Sequence, residues 1–190
     1  MTSTDRTRAI AFERLFAQHY AEVVAYGHRR ASADVAEDVA EETFLVAWRE
    51  LEDLPEDTLP WLLAVAGRTL VGYREAAERR EALLDRLAVV PERHHDDRFR
   101  ISTTLRSELQ LLSPVELEAL LLVAWEELSP ARAAIAAGCS RAAFRVRLHR
   151  ARRRVGEALE ASWRRTGQVT GEHAVVPAPA PASDDPRTPR

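Results

Sequence analysis

Apolar residues along this chain recur with the period of an α-helix almost everywhere. Phe12, Leu15, Phe16, Tyr20, Val23 and Val24 fall on one helical face, which predicts a helix from Asp5 to about Ala31. A second helix is predicted over 34–51, with Asp34 as its cap and Glu37 three residues on. Pro55 marks a loop over 54–58. Pro60 then opens a third helix, whose Leu62, Val65, Ala66, Thr69 and Tyr73 share a face and which runs to about Leu87. Alternating runs of β-branched residues, the mark of half-buried strands, are missing. The pattern predicts an all-α protein.

The periodicity stops at Ala88 and returns near Ser102. The stretch between holds Pro91, His94, His95, Asp96 and Asp97 and reads as a linker between two small helical domains, 5–87 and 101–163. Ser113-Pro114-Val115-Glu116 is a capping box with proline at the first helical position, opening a leucine-rich helix that ends near Glu127. Ser129-Pro130 starts another helix. Gly138 can take a positive φ without steric cost and so permits a sharp turn. Ser140 can cap the helix that follows. In that helix Phe144, Leu148, Ala151 and Val155 form one apolar stripe. Two short helices joined at a glycine turn read as a helix-turn-helix. From Gly167 the chain turns to Pro, Ala, Ser and Thr, a composition that cannot bury enough apolar surface to order itself, so 167–190 is expected to be a disordered tail.

Charge changes the picture. The net charge is -3, and all 27 basic residues are arginine. Eight of them lie between Ser129 and Gly156, with no acid among them. Guanidinium forks match phosphate oxygens and guanine edges, and neutralised phosphates release counterions, so this second domain reads as a DNA binder. The first domain has the opposite bias. Residues 34–57 hold ten acids against one base, Arg49. The two domains are therefore expected to meet different partners. The single cysteine, Cys139, has no disulfide partner within the chain and reads as a small apolar residue. No apolar run approaches a membrane span, and the charged N-terminus is unlike a signal peptide. A cytoplasmic protein without membrane insertion is expected.

Three segments in order, AEDVAEETFLVAWRE, LPWLLAVAGRTLVGYRE and LSPVELEALLLVAWEELSPARAAIAAGCSRAAFRVRLHRARRRV, resemble the extracytoplasmic-function sigma factors of the sigma-70 family. The likeness spans about 12–159. It implies a first domain, region 2, that binds the clamp helices of the RNA polymerase β′ subunit and melts the minus-ten element. It implies a second, region 4, that binds the β flap and reads the minus-thirty-five element. On this resemblance, Asp38, Glu41, Glu42, Phe44, Leu45 and Trp48 bind core polymerase. Arg68, Thr69, Tyr73, Arg74, Arg79 and Arg80 meet the minus-ten element, although many members have Asn at the position of Thr69 and Asp at that of Gly72. Arg141, Arg145, Arg147, His149, Arg150 and Arg153 meet the minus-thirty-five element. Arg141 and Arg145, nearest the helix start, are the base readers, and the outward-pointing Ala142 and Val146 allow close approach to the groove. An anti-sigma factor is a possible further partner.

Two other readings use the same residues differently. A conventional regulator would use the helix-turn-helix alone, without polymerase. An enzyme would need His94, His95, Asp96 and Asp97 as a metal site, but adjacent histidines diverge and no spaced His/Cys set accompanies them. The sequence therefore predicts a protein that is not an enzyme and holds no cofactor or metal.

Overall fold

The computed structural model describes residues 3–86, 109 and 111–166. The expected linker and the proline-rich tail lie outside the described residues. Among those described, the longer regular elements are all helices: α1 (Ser3–His28), α2 (Ala33–Arg49), α3 (Thr58–Arg86), α4 (Pro114–Ala124), α5 (Pro130–Ala136) and α6 (Arg141–Thr166). Helices α1, α2 and α3 pack on one another, as do α4, α5 and α6. The two groups meet along α3 and α5.

Local chemistry sets most helix starts. The Glu116 carboxylate accepts from the Ser113 backbone N–H at 3.0 Å and its hydroxyl at 2.8 Å, so the capping box forms. The Ser129 hydroxyl accepts from Arg132 N–H, and that of Ser140 from Ala143 N–H at 3.2 Å. Gly138 sits at φ 59° between α5 and α6, the left-handed turn its lack of a Cβ permits. Helix α2 differs from expectation. Its cap is Ser32, and Asp34 falls inside the first turn, where its charge still faces the positive end of the helix dipole.

Burial follows the predicted stripes of α3 and α6. Val23, Tyr26, Val39, Phe44, Leu62, Leu63 and Leu70 of the first group join Ala119, Leu122, Leu128, Phe144 and Leu148 of the second in one buried apolar cluster. Alanines 133, 134 and 136 on α5 are buried, and their small side chains let α5 sit close to α3.

Polar contacts tie the two groups more specifically. Arg30, 3% exposed, puts Nε 2.9 Å and Nη2 3.1 Å from the two oxygens of Glu118, and Nη1 2.9 Å from Glu126. Its guanidinium lies 3.6 Å from the centre of the Tyr26 ring. The Tyr26 hydroxyl donates to Glu118 at 2.9 Å, and Arg29 pairs with Glu126. Burial pushes the Tyr26 hydroxyl above its ordinary pKa, against the pull of the Arg30 cation, so it donates as a neutral phenol. At the rim, Arg132 holds Asp57 by two bonds of 2.8 Å.

Two predictions follow from this packing. A Cβ on Gly27 would lie 3.0 Å from both Cα and Cβ of Ala36, where α1 crosses the start of α2. Gly27→Ala should therefore destabilise by about 1–3 kcal/mol, as overpacking does. Gly72, with nothing within 4 Å, should gain about 0.5–1 kcal/mol on replacement by alanine. Urea unfolding of the pair reads both signs. Separately, Arg30→Ala takes the guanidinium fork from Glu118 and leaves the buried Glu126 with Arg29 alone, so it should weaken the contact between the groups by about 3 kcal/mol. Small-angle scattering should show a larger radius of gyration for that variant than for Arg30→Met combined with Glu118→Leu and Glu126→Leu.

Candidate nucleic-acid interface

Helix α6 carries the cationic face. Its buried stripe of Phe144, Leu148 and Ala151 turns inward, which leaves Arg141, Arg145, His149, Arg150, Arg152 and Arg153 exposed. Ala142 and Val146 lie on the same outer surface, Val146 at 49% exposure. The arginines differ in how free they are. Arg154 is tied to the buried Glu116 at 2.8 Å. That carboxyl is held below its ordinary pKa, first by the two Ser113 hydrogen bonds and then by Arg154 and Arg150. Arg153 has an exposed partner one turn on, Glu157 at 3.5 Å. Such a pair contributes little in water and yields easily to a phosphate. Arg147 departs from the rest. It is half-buried and faces the first group of helices rather than outward.

Arg147 helps to line a cleft of about 500 Å³ between α3 and the helix-turn-helix. Arg68, Val71 and Arg74 face it from α3, and Val115 and Glu118 from α4. Arg74 donates to the backbone carbonyl of Arg30 at 3.2 Å, so it also touches the buried ionic network. Thr69 and Tyr73 are half-buried on α3. Arg79 and Arg80 are exposed further along, with Arg79 3.7 Å from Glu75. The six residues thus do not form one patch. Arg68 and Arg74 look into the cleft, and Arg79 and Arg80 lie beyond it.

Helix α2 presents a different chemistry. Asp38, Glu41 and Glu42 are exposed, with Leu45 (56%) and Trp48 (37%) beside them. Phe44 is not part of this surface. At 3% exposure it is core, packed 4.8 Å from Phe16 between ring centres. The acidic row comes close to α3 at Tyr73, whose hydroxyl lies near Asp38 and Glu42. Desolvation and the charges of Asp38 and Glu42 raise its hydroxyl pKa. The sequence pattern had placed Phe16 and Tyr20 in the core face of α1. Both instead reach the surface, stacked 4.6 Å apart, and extend the apolar ground beside Trp48. Arg8 lies 4.9 Å over the Trp48 ring and donates to its carbonyl at 2.7 Å. Nothing in the spacing of Arg8 or Arg30 marks these contacts, because their partners are 40 to 96 residues distant.

Among the described residues no group of three His, Cys, Asp or Glu side chains could hold a metal ion, and no helix is long and apolar enough to cross a membrane. The His94–Asp97 run lies outside the described residues.

Residues 102–155 match the family model of sigma-70 region 4. No curated protein matches the chain in sequence. Among solved structures, the chain is similar to the sigma factor RpoE of Bartonella quintana, determined in complex with the anti-sigma factor NepR. The identity is 22% over 78% of this chain and 96% of that one, with a TM-score of 0.56. It is likewise similar to CnrH, determined with the cytosolic domain of CnrY, at 25% identity over 81% of this chain and 95% of that one, with a TM-score of 0.55.

Proposed function

We infer that this chain, an RNA polymerase sigma factor of the extracytoplasmic-function kind, divides promoter recognition between its two helical groups. The observation that carries the reading is the exposed cationic face of α6 on a helix-turn-helix that lies within the region 4 match. In this reading α6 enters the major groove of the minus-thirty-five element, with its early residues near base edges and its later arginines on phosphates. Arg68, Thr69, Tyr73, Arg74, Arg79 and Arg80 meet the minus-ten element, where cations and an aromatic ring suit exposed backbone and bases. The acidic and apolar row of Asp38, Glu41, Glu42, Leu45 and Trp48 meets the β′ clamp helices, with Phe44 supporting it from below. A row of carboxylates beside large apolar side chains suits a basic helical partner. The second domain also contacts the β flap. No catalytic step, metal or cofactor is assigned to the chain, and its place of action is the cytoplasm. Its likeness in fold to a sigma factor determined with an anti-sigma factor makes a protein of that kind a further candidate partner.

Reconstitution tests the reading. The chain mixed with core polymerase and a cognate promoter should yield initiation at one start site, whereas a conventional regulator would bind DNA without it. Replacing Asp38, Glu41 and Glu42 together by alanine should weaken association with core polymerase at least about tenfold, near 1.4 kcal/mol. The fold should change by only about 0.5 kcal/mol per exposed site. Unchanged association would remove the assignment. Arg153→Ala should weaken holoenzyme binding equally on all promoter variants and lower the salt slope by about one unit, as loss of a phosphate contact does. Titration in salt across a promoter panel measures it.

A further inference from the structure

The outward centre of α6 is not an arginine. At about 100° per residue, the stripe of Phe144, Leu148 and Ala151 defines the inward direction, and Val146 lies almost opposite it. Arg145 and Arg147 fall about 100° to either side of Val146, and Arg141 lies further back toward the core. The nearest neighbours in angle are Ala142 one turn earlier, Arg150 one turn later and Arg153 beyond it. A groove-binding helix puts the side chains opposite its core stripe deepest. Here that line runs from a small residue, through a valine, to cations.

Val146 contributes little to the free chain. It is 49% exposed and lies outside the apolar cluster, so its burial adds almost nothing to folding. Its β-branch is also less favourable in a helix than the alanines around it. An exposed, branched apolar side chain flanked by cations on a basic helix suits a surface that is mostly charged but carries one apolar knob. The major groove has such a surface, because the C5-methyl of thymine is the apolar group on its floor. We propose that Val146 is a specificity-determining residue that packs against the methyl of a thymine in the minus-thirty-five element. Ala142 gives the clearance for that approach, and Arg150 and Arg153 hold the flanking phosphates. The proposal rests on the promoter-reading role assigned to α6 above. It moves the centre of base reading from Arg141 and Arg145 to Val146.

The test deletes the methyl alone. Each thymine of the footprinted minus-thirty-five element, on either strand, is replaced singly by deoxyuridine. Equilibrium binding of the holoenzyme, full chain with core polymerase, is then measured. One position should weaken binding about fourfold, which corresponds to the ~0.8 kcal/mol of one buried carbon. Val146→Ala, which favours the helix, should lose a similar factor on the unmodified promoter and become indifferent to deoxyuridine at that position. Association with core polymerase in the absence of DNA should not change. The proposal is overturned if no single deoxyuridine matters while the footprint over the element persists. It is equally overturned if Val146→Ala keeps the wild-type sensitivity, or if it loses core polymerase without DNA, which would seat Val146 on a protein surface. A holoenzyme with no footprint over the element would instead remove the promoter-reading role itself, and this proposal with it.

Discussion

One buried arginine organises the relation between the two halves of this molecule. Arg30 follows the end of α1 and meets two carboxylates of the second group, Glu118 within the leucine-rich α4 and Glu126 just past it. A guanidinium so deeply buried is tolerable only because both carboxylates, the Tyr26 ring and the Tyr26 carbonyl answer it. The geometry is planar and forked, which lysine could not reproduce. Apolar packing between α3 and α5 adds area but little direction. The ionic network fixes which face of one group meets which face of the other.

The parts of this fold that were legible in sequence are those with short-range causes. Ser113 with Glu116, Ser129 with Pro130, and Gly138 followed by Ser140 each state a helix boundary within four residues, and the structure places the boundaries there. The stripe of α6 was equally plain, because a period of 3.6 needs only one helix to show itself. Asp34 was misplaced as a cap because Ser32, two residues earlier, competes for the same role and the pattern does not rank them.

Features with long-range causes were not legible. Periodicity marks Phe16 and Tyr20 as apolar face, yet both reach the surface, while Phe44, expected on the polymerase-binding face, is enclosed, since enclosure depends on how α1 and α2 cross. Arg147 belongs to the cationic series by composition, but its angle on α6 turns it toward α3. Arg154 looks like its neighbours until Glu116, from another helix, is seen to hold it. Charge counts find a basic helix. They do not say which of its arginines are already committed within the protein.

The shared cleft has a thermodynamic consequence. Arg68 and Arg74 from one group and Arg147 from the other face the same space. The minus-ten and minus-thirty-five elements lie roughly 85 Å apart on B-form DNA, at about 3.4 Å per base pair. On the proposed assignment, a chain in this arrangement cannot place both sets of arginines on their elements at once. The apparent affinity for a whole promoter would then be the intrinsic affinity reduced by the fraction of molecules that have parted the two groups. An interface that keeps that fraction at one in a hundred would make free chain a hundredfold weaker promoter binder than a chain already spread on polymerase. Discrimination between holoenzyme and idle subunit would then reside in how Arg30 is held, in a residue buried between the two groups.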